Sequence, residues 1–128
     1  MENKYISNKE QSEKLINFGV KRETADFIVT FSGDGNIDNM RLNLCNDFKE
    51  GEFPAWSIIT VASLCPNSIV IDDAMYDLNL CLGINSVSYS LEGSYAADFF
   101  VNSQLFDNLL DCIEWLIEEN LINFSDGN

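Results

Sequence analysis

The sequence predicts an α+β fold: an antiparallel sheet of about five strands, with N-terminal, central and C-terminal helices packed against it. Three observations predict it. Residues 76–82 and residues 86–91 each alternate apolar and polar side chains with period two, the pattern of strands covered on one face. Residues 103–120 repeat apolar side chains at helical spacing. Near the start, Ser7 and Glu10 have the spacing of a capping box.

The first helix is expected over about 8–18. Glu10–Lys14 is a well-oriented i,i+4 pair, Leu15, Ile16 and Phe18 supply apolar surface, and Gly19 is a natural stop. "FIVTFS" (27–32) and "MRLNLC" (40–45) flank a Gly/Asp/Asn cluster and read as a β-hairpin. Pro54 suits the first turn of a central helix, "PAWSIITVASLC" (54–65), which Pro66 stops. Its Ile58–Val61 stretch is β-branched and lacks a polar face, so the segment is expected to be buried. "SIVID" (68–72), "YDLNLCL" (76–82) and "SVSYSL" (86–91) read as antiparallel strands, followed by a short one over 95–101. The last helix is expected over about 103–120, capped by Asn102 or Ser103. Leu105, Leu109, Cys112 and Leu116 form one apolar row, and Phe106, Leu110, Ile113 and Ile117 the next.

A chain of 128 residues, 46% hydrophobic and without a Gly/Ser-rich linker, is expected to be one domain, 1–128. Its charge is unevenly placed. After Lys49 there is no Lys, Arg or His, yet 13 carboxylates follow. Of the formal charge of −14, residues 65–128 contribute −11. Direct binding to nucleic acid or to an anionic membrane is thereby disfavoured. A basic protein is the favoured partner, and solubility alone is the alternative use of the charge. The oligomeric state is left open.

Four carboxylates concentrate this signal. Asp107, Asp111, Glu114 and Glu118 fall within an arc of roughly 60° on the last helix. Asp107–Asp111 and Glu114–Glu118 are like-charged i,i+4 pairs, each destabilising by about 0.2–0.5 kcal/mol. Such a row resembles a line of phosphates and can compete with nucleic acid for a basic channel. These four residues are the candidate partner-binding site, and all four are expected to be exposed.

Other chemistry is poorly supported. With no His, the usual Ser–His and Cys–His pairs are absent, and no P-loop or dinucleotide fingerprint occurs. No enzyme activity, cofactor or metal is expected. Asp34-x-Asn36-x-Asp38 has the opening spacing of a calcium loop, but Asn39 and Cys45 stand where Gly and Glu are required, so a plain turn is expected. Asp72, Asp73 and Asp77 are expected to be turn formers. Cys45, Cys65, Cys81 and Cys112 form no CxxC pair and sit among apolar neighbours, which predicts buried free thiols. No apolar leader opens the sequence and no run approaches a bilayer span, so a cytoplasmic location is expected.

"LINFGVKRETAD" (15–26), "PAWSI" (54–58) and "ADFFVNSQLFDNLLDCIEWLIEENLI" (97–122) resemble a pattern in small acidic proteins of phages and mobile elements of Bacteroidetes-type bacteria. The resemblance covers about a third of the chain. It implies a genomic context and no catalytic residues. Proteins of that context include inhibitors of host defence, of anti-CRISPR and anti-restriction type. The expectation is therefore a non-enzymatic inhibitor of a basic, nucleic-acid-handling protein. The alternative is an acidic accessory domain of a mobile element.

Overall fold

A computed structural model describes residues 5–81, 86–91, 95–101 and 104–124. The chain is α+β, with three α-helices and seven strands among the described residues. The strands form two antiparallel sheets, of three and four strands, where the sequence reading grouped about five in one. The chain divides into two compact units, Met1–Val61 with Asn123–Asn128, and Ala62–Ile122.

In the first unit, α1 spans Lys9–Phe18. Its capping box lies one residue beyond the expected one: Gln11 N–H donates to Asn8 Oδ1 at 2.9 Å, and Asn8 N–H donates to Gln11 Oε1 at 3.0 Å. Ser7 is engaged elsewhere. Its buried hydroxyl accepts the Trp56 N–H at 2.9 Å and shares a 2.7 Å hydrogen bond with Ser12. Gly19 ends the helix at φ 101°, in the left-handed region, as its sequence position predicts.

A hairpin follows, β1 (Phe27–Phe31) and β2 (Ile37–Leu42). β2 begins earlier than expected, because the turn tightens to Ser32–Asn36. Asp34 closes that turn by accepting from Ser32 Oγ and from the Asn36 N–H. Those bonds, the serine hydroxyl first, hold its carboxyl below the usual aspartate range.

Pro54 does not open a helix. It lies in β3 (Phe53–Ala55), an edge strand paired with β1. An edge strand tolerates proline because one row of its N–H groups has no ladder partner. The central helix is α2, Ile58–Leu64. Asp26 organises its start, accepting the Ser57 N–H at 2.7 Å and the Thr60 hydroxyl at 2.8 Å. Ser57 Oγ accepts the Thr60 N–H at 3.2 Å, an N-cap contact that offsets the poor propensity of the β-branched run. Ile58 and Val61 are buried, but Ile59 is 78% exposed, against the expectation of a wholly buried segment.

In the second unit, β4 (Ser68–Ile71), β5 (Ala74–Cys81), β6 (Ser86–Leu91) and β7 (Tyr95–Val101) form a meander in chain order. Leu82, expected in the second of these, lies outside the described residues. Ile71 and Ala74 pair across the two-residue turn Asp72–Asp73, whose φ angles are 52° and 67°. Two successive left-handed residues make a type I′ turn, which matches the strand twist but favours Asn-Gly or Asp-Gly. Asp73→Gly is therefore expected to stabilise the fold by about 0.5–1 kcal/mol, because left-handed backbone is unfavourable for an L residue. Thermal unfolding checks this: Tm should rise by a few degrees, and a fall would contradict the turn assignment.

β6 departs from the one-covered-face expectation. Val87 and Tyr89 are buried, and so are Ser86, Ser88 and Ser90 on the other face. The strand is interior to the sheet, and the Ser90 hydroxyl accepts from the Asn79 side chain of β5. Tyr89 donates to the Pro66 carbonyl at 2.8 Å, and burial, with the Cys65 and Cys112 thiols nearby, pushes its phenol well above the usual range.

The thiols are a partial correction. Cys65 and Cys112 are buried and free, but Cys45 is free and exposed. Its apolar neighbours Leu42 and Leu44 are themselves 60% and 82% exposed, since Leu42 ends and Leu44 follows an edge strand open on both faces. The side chain of Cys81 lies outside the described residues. Alkylation of the native protein is expected to label Cys45, and to reach Cys65 and Cys112 only after unfolding. Peptide mass spectrometry reads this directly; protection of Cys45 would refute the exposed-loop geometry.

Candidate functional site

The candidate residues lie on α3, Leu105–Glu118. Its apolar rows are buried as expected, with Leu105, Leu109, Cys112 and Leu116 on one and Phe106, Leu110 and Ile113 on the other. Ile117, at the margin of the stripe, is half-buried. Asn108, which the apolar rows did not include, is wholly buried beside them. Trp115 packs on the sheet, 6.3 Å from the Tyr89 ring and 6.1 Å from the Phe100 ring between centroids. This fixes the rotation of the helix, and with it the direction of the acidic face.

Asn102 and Ser103, the expected caps, lie outside the described residues. Gln104 occupies the N-cap position with extended backbone and makes no side-chain capping bond. Asn120 closes the other end at φ 59°, with Leu121 N–H bonded to Leu116 O at 2.8 Å. Asn is the residue after Gly that best tolerates this geometry, so "ENLI" carried a stop signal the sequence reading did not use.

The acidic row divides in two. Glu114 and Glu118 are exposed, whereas Asp107 and Asp111 are half-buried, which corrects the expectation of four exposed carboxylates. Each aspartate also engages a neighbouring group. An aspartate carboxyl sits one methylene closer to the helix than a glutamate carboxyl, so it is shielded more by adjacent side chains. The row spans about 16 Å along the axis at 1.5 Å per residue. Asp107 lies in the first turn, where the helix dipole favours an anion; no cation offsets Glu118 in the last.

The charge boundary follows the structural one. Ala62–Ile122 contains ten carboxylates and no Lys, Arg or His; all seven cations fall within the first unit. There, Arg41 binds Glu52 at 2.7 Å and also donates to the Asp47 carbonyl. The guanidinium holds the Glu52 carboxyl below the usual range. Arg22 lies over the Phe48 ring, 5.5 Å from its centre. These cations serve the first unit's own loops.

Little else resembles a site of chemistry. A cleft of about 390 Å³ opens between the N-terminus of α1 and the Gly33–Gly35 turn, lined also by Glu10 and Glu13. Its Asp34 is committed to closing the turn. Among the described residues no group of three or more Cys, Asp or Glu converges as a metal site requires. None of the described helices is long and apolar enough to cross a membrane. Comparison with protein-family models, curated proteins and solved structures found no match.

Proposed function

We propose that this chain is a non-enzymatic binding protein that blocks a basic, nucleic-acid-handling protein, such as a bacterial defence effector. One observation carries the reading: a folded unit of 61 residues with ten carboxylates and no cation, which presents Glu114 and Glu118 on a rigid helix. Self-repulsion destabilises such a unit, and a positive partner surface relieves it. Nucleic acid itself is repelled, so the partner is the protein that binds it. The resemblance to small acidic proteins of mobile elements supports the same reading. A reducing cytoplasm, where such effectors work, suits the free thiols of Cys45, Cys65 and Cys112.

The half-burial of Asp107 and Asp111 favours a second reading, an acidic accessory domain whose charge serves solubility only. Capture from bacterial lysate separates the two. Wild type should retain a nucleic-acid-binding protein at low salt and lose it as salt rises, and Glu114→Lys/Glu118→Lys should fail to retain it. Equal retention by both proteins would leave only the second reading.

A further inference from the structure

Among the described residues, no strand pairs with the outer side of β4 in the second unit. β4 is an outer strand of its sheet, with sequence Ser-Ile-Val-Ile. Edge strands are usually guarded by lysine, proline or a bulge against pairing with another chain. β4 has only its shortness.

Hairpin geometry determines which groups face outward. Across the two-residue turn, Ile71 and Ala74 form a hydrogen-bonded pair, and bonded pairs then alternate along the strands. The Leu78 N–H to Asn67 carbonyl bond, 2.9 Å, falls on that alternation. Ile69 and Tyr76 are therefore bonded too, while Ser68 and Val70 turn their N–H and C=O groups away from β5. Both side chains lie on the face opposite Tyr89 and α3, and both are exposed. Val70 is 56% exposed beside its cross-strand partner Met75, 59% exposed. Three exposed carboxylates surround this pair: Asp72 and Asp73 at the turn, and Asp77 opposite Ser68.

We propose that β4 accepts an extended, basic peptide segment of a partner protein by strand addition, through the outward main-chain groups of Ser68 and Val70. Val70 and Met75 provide the apolar contact, and Asp72, Asp73 and Asp77 select cationic side chains. The occupant is not a second copy of this chain. Pairing two such edges would bring together two units, each with ten carboxylates and no cation. This surface is separate from the acidic face of α3.

The test titrates the isotopically labelled full chain with a short peptide of alternating valine and lysine, and with its valine–glutamate counterpart. The lysine peptide should shift the amide resonances of Ser68 and Val70, and the glutamate peptide should not. Val70→Pro removes an outward donor without breaking the ladder to β5, so it should weaken binding roughly tenfold. Val70→Lys, at an exposed position, is the second variant and should weaken it similarly by charge repulsion. Glu114→Lys/Glu118→Lys should retain the β4 shifts, so failure of one surface is distinguishable from failure of the other. Unchanged binding in both Val70 variants, shifts on α3 instead of β4, equal binding of the glutamate peptide, or dimerisation of the free chain through β4 would each overturn the proposal.

Discussion

Replacing Trp56 by alanine is expected to destabilise the protein by about 3–5 kcal/mol, the range for removing a large buried aromatic. Its side chain is wholly buried. Its indole N–H donates to Thr24 Oγ1 at 3.0 Å, and its backbone pairs with Ser7 through two 2.9 Å bonds, Trp56 N–H to Ser7 Oγ and Ser7 N–H to Trp56 O. The side chain thus ties the 3₁₀ turn Arg22–Thr24 to the junction of β3 with α2, whereas the two backbone bonds to Ser7 survive its replacement. Trp56→Phe keeps most of the apolar contact and loses the indole bond, so a smaller loss, about 1–2 kcal/mol, is expected. Urea denaturation followed by circular dichroism measures both. A loss below about 1 kcal/mol for alanine would show that the first unit does not depend on this anchor.

Reversing Glu114 and Glu118 to lysine is expected to weaken binding to a basic partner by at least about 2 kcal/mol, roughly thirtyfold. Folding should be nearly unaffected. Both side chains are exposed, a cation at position 118 suits the negative end of the helix dipole, and one like-charged pair replaces another. Asp111 is the poorer position for reversal, since the residue is half-buried and makes an interaction of its own. Calorimetric titration of the captured partner, paired with urea denaturation of the variant, separates lost binding from lost structure.

The second unit was the more legible half of the chain. "YDLNLCL" and "SVSYSL" alternate cleanly, and the apolar rows of α3 repeat at helical spacing, so element type followed from the pattern, as did the direction of burial on α3, though β6 is buried on both faces. In the first unit, tertiary pairing overrode local signals. Pro54 is a good helix starter in isolation, but β1 offered Phe53–Ala55 a strand partner that sequence periodicity cannot reveal. Ser7 and Glu10 form a good capping box on paper, but Trp56 claimed the Ser7 hydroxyl and the box moved to Asn8 and Gln11. Cys45 shows the same limit: an apolar neighbourhood along the chain does not bury a thiol when that segment follows a sheet edge.

The candidate site was legible as a helix face but not as four equal charges. Spacing placed the carboxylates together, while burial separated Asp107 and Asp111 from Glu114 and Glu118. The open edge of β4 was legible only indirectly. The spacing of "IVIDDAMYD" marks a tight hairpin, but local spacing does not say whether a further strand pairs on the outer side of β4.

The most direct test of the central claim is competition. The partner protein captured from lysate is incubated with its own DNA or RNA, and this protein is titrated in across a salt series. Displacement of the nucleic acid by wild type is expected, with an apparent affinity that falls as salt rises, because exposed charges are screened over about 8 Å at physiological ionic strength. The Glu114→Lys/Glu118→Lys protein should displace it poorly at every salt concentration. Simultaneous binding of this protein and nucleic acid to the partner, or displacement indifferent to salt and to the reversal, would contradict the account.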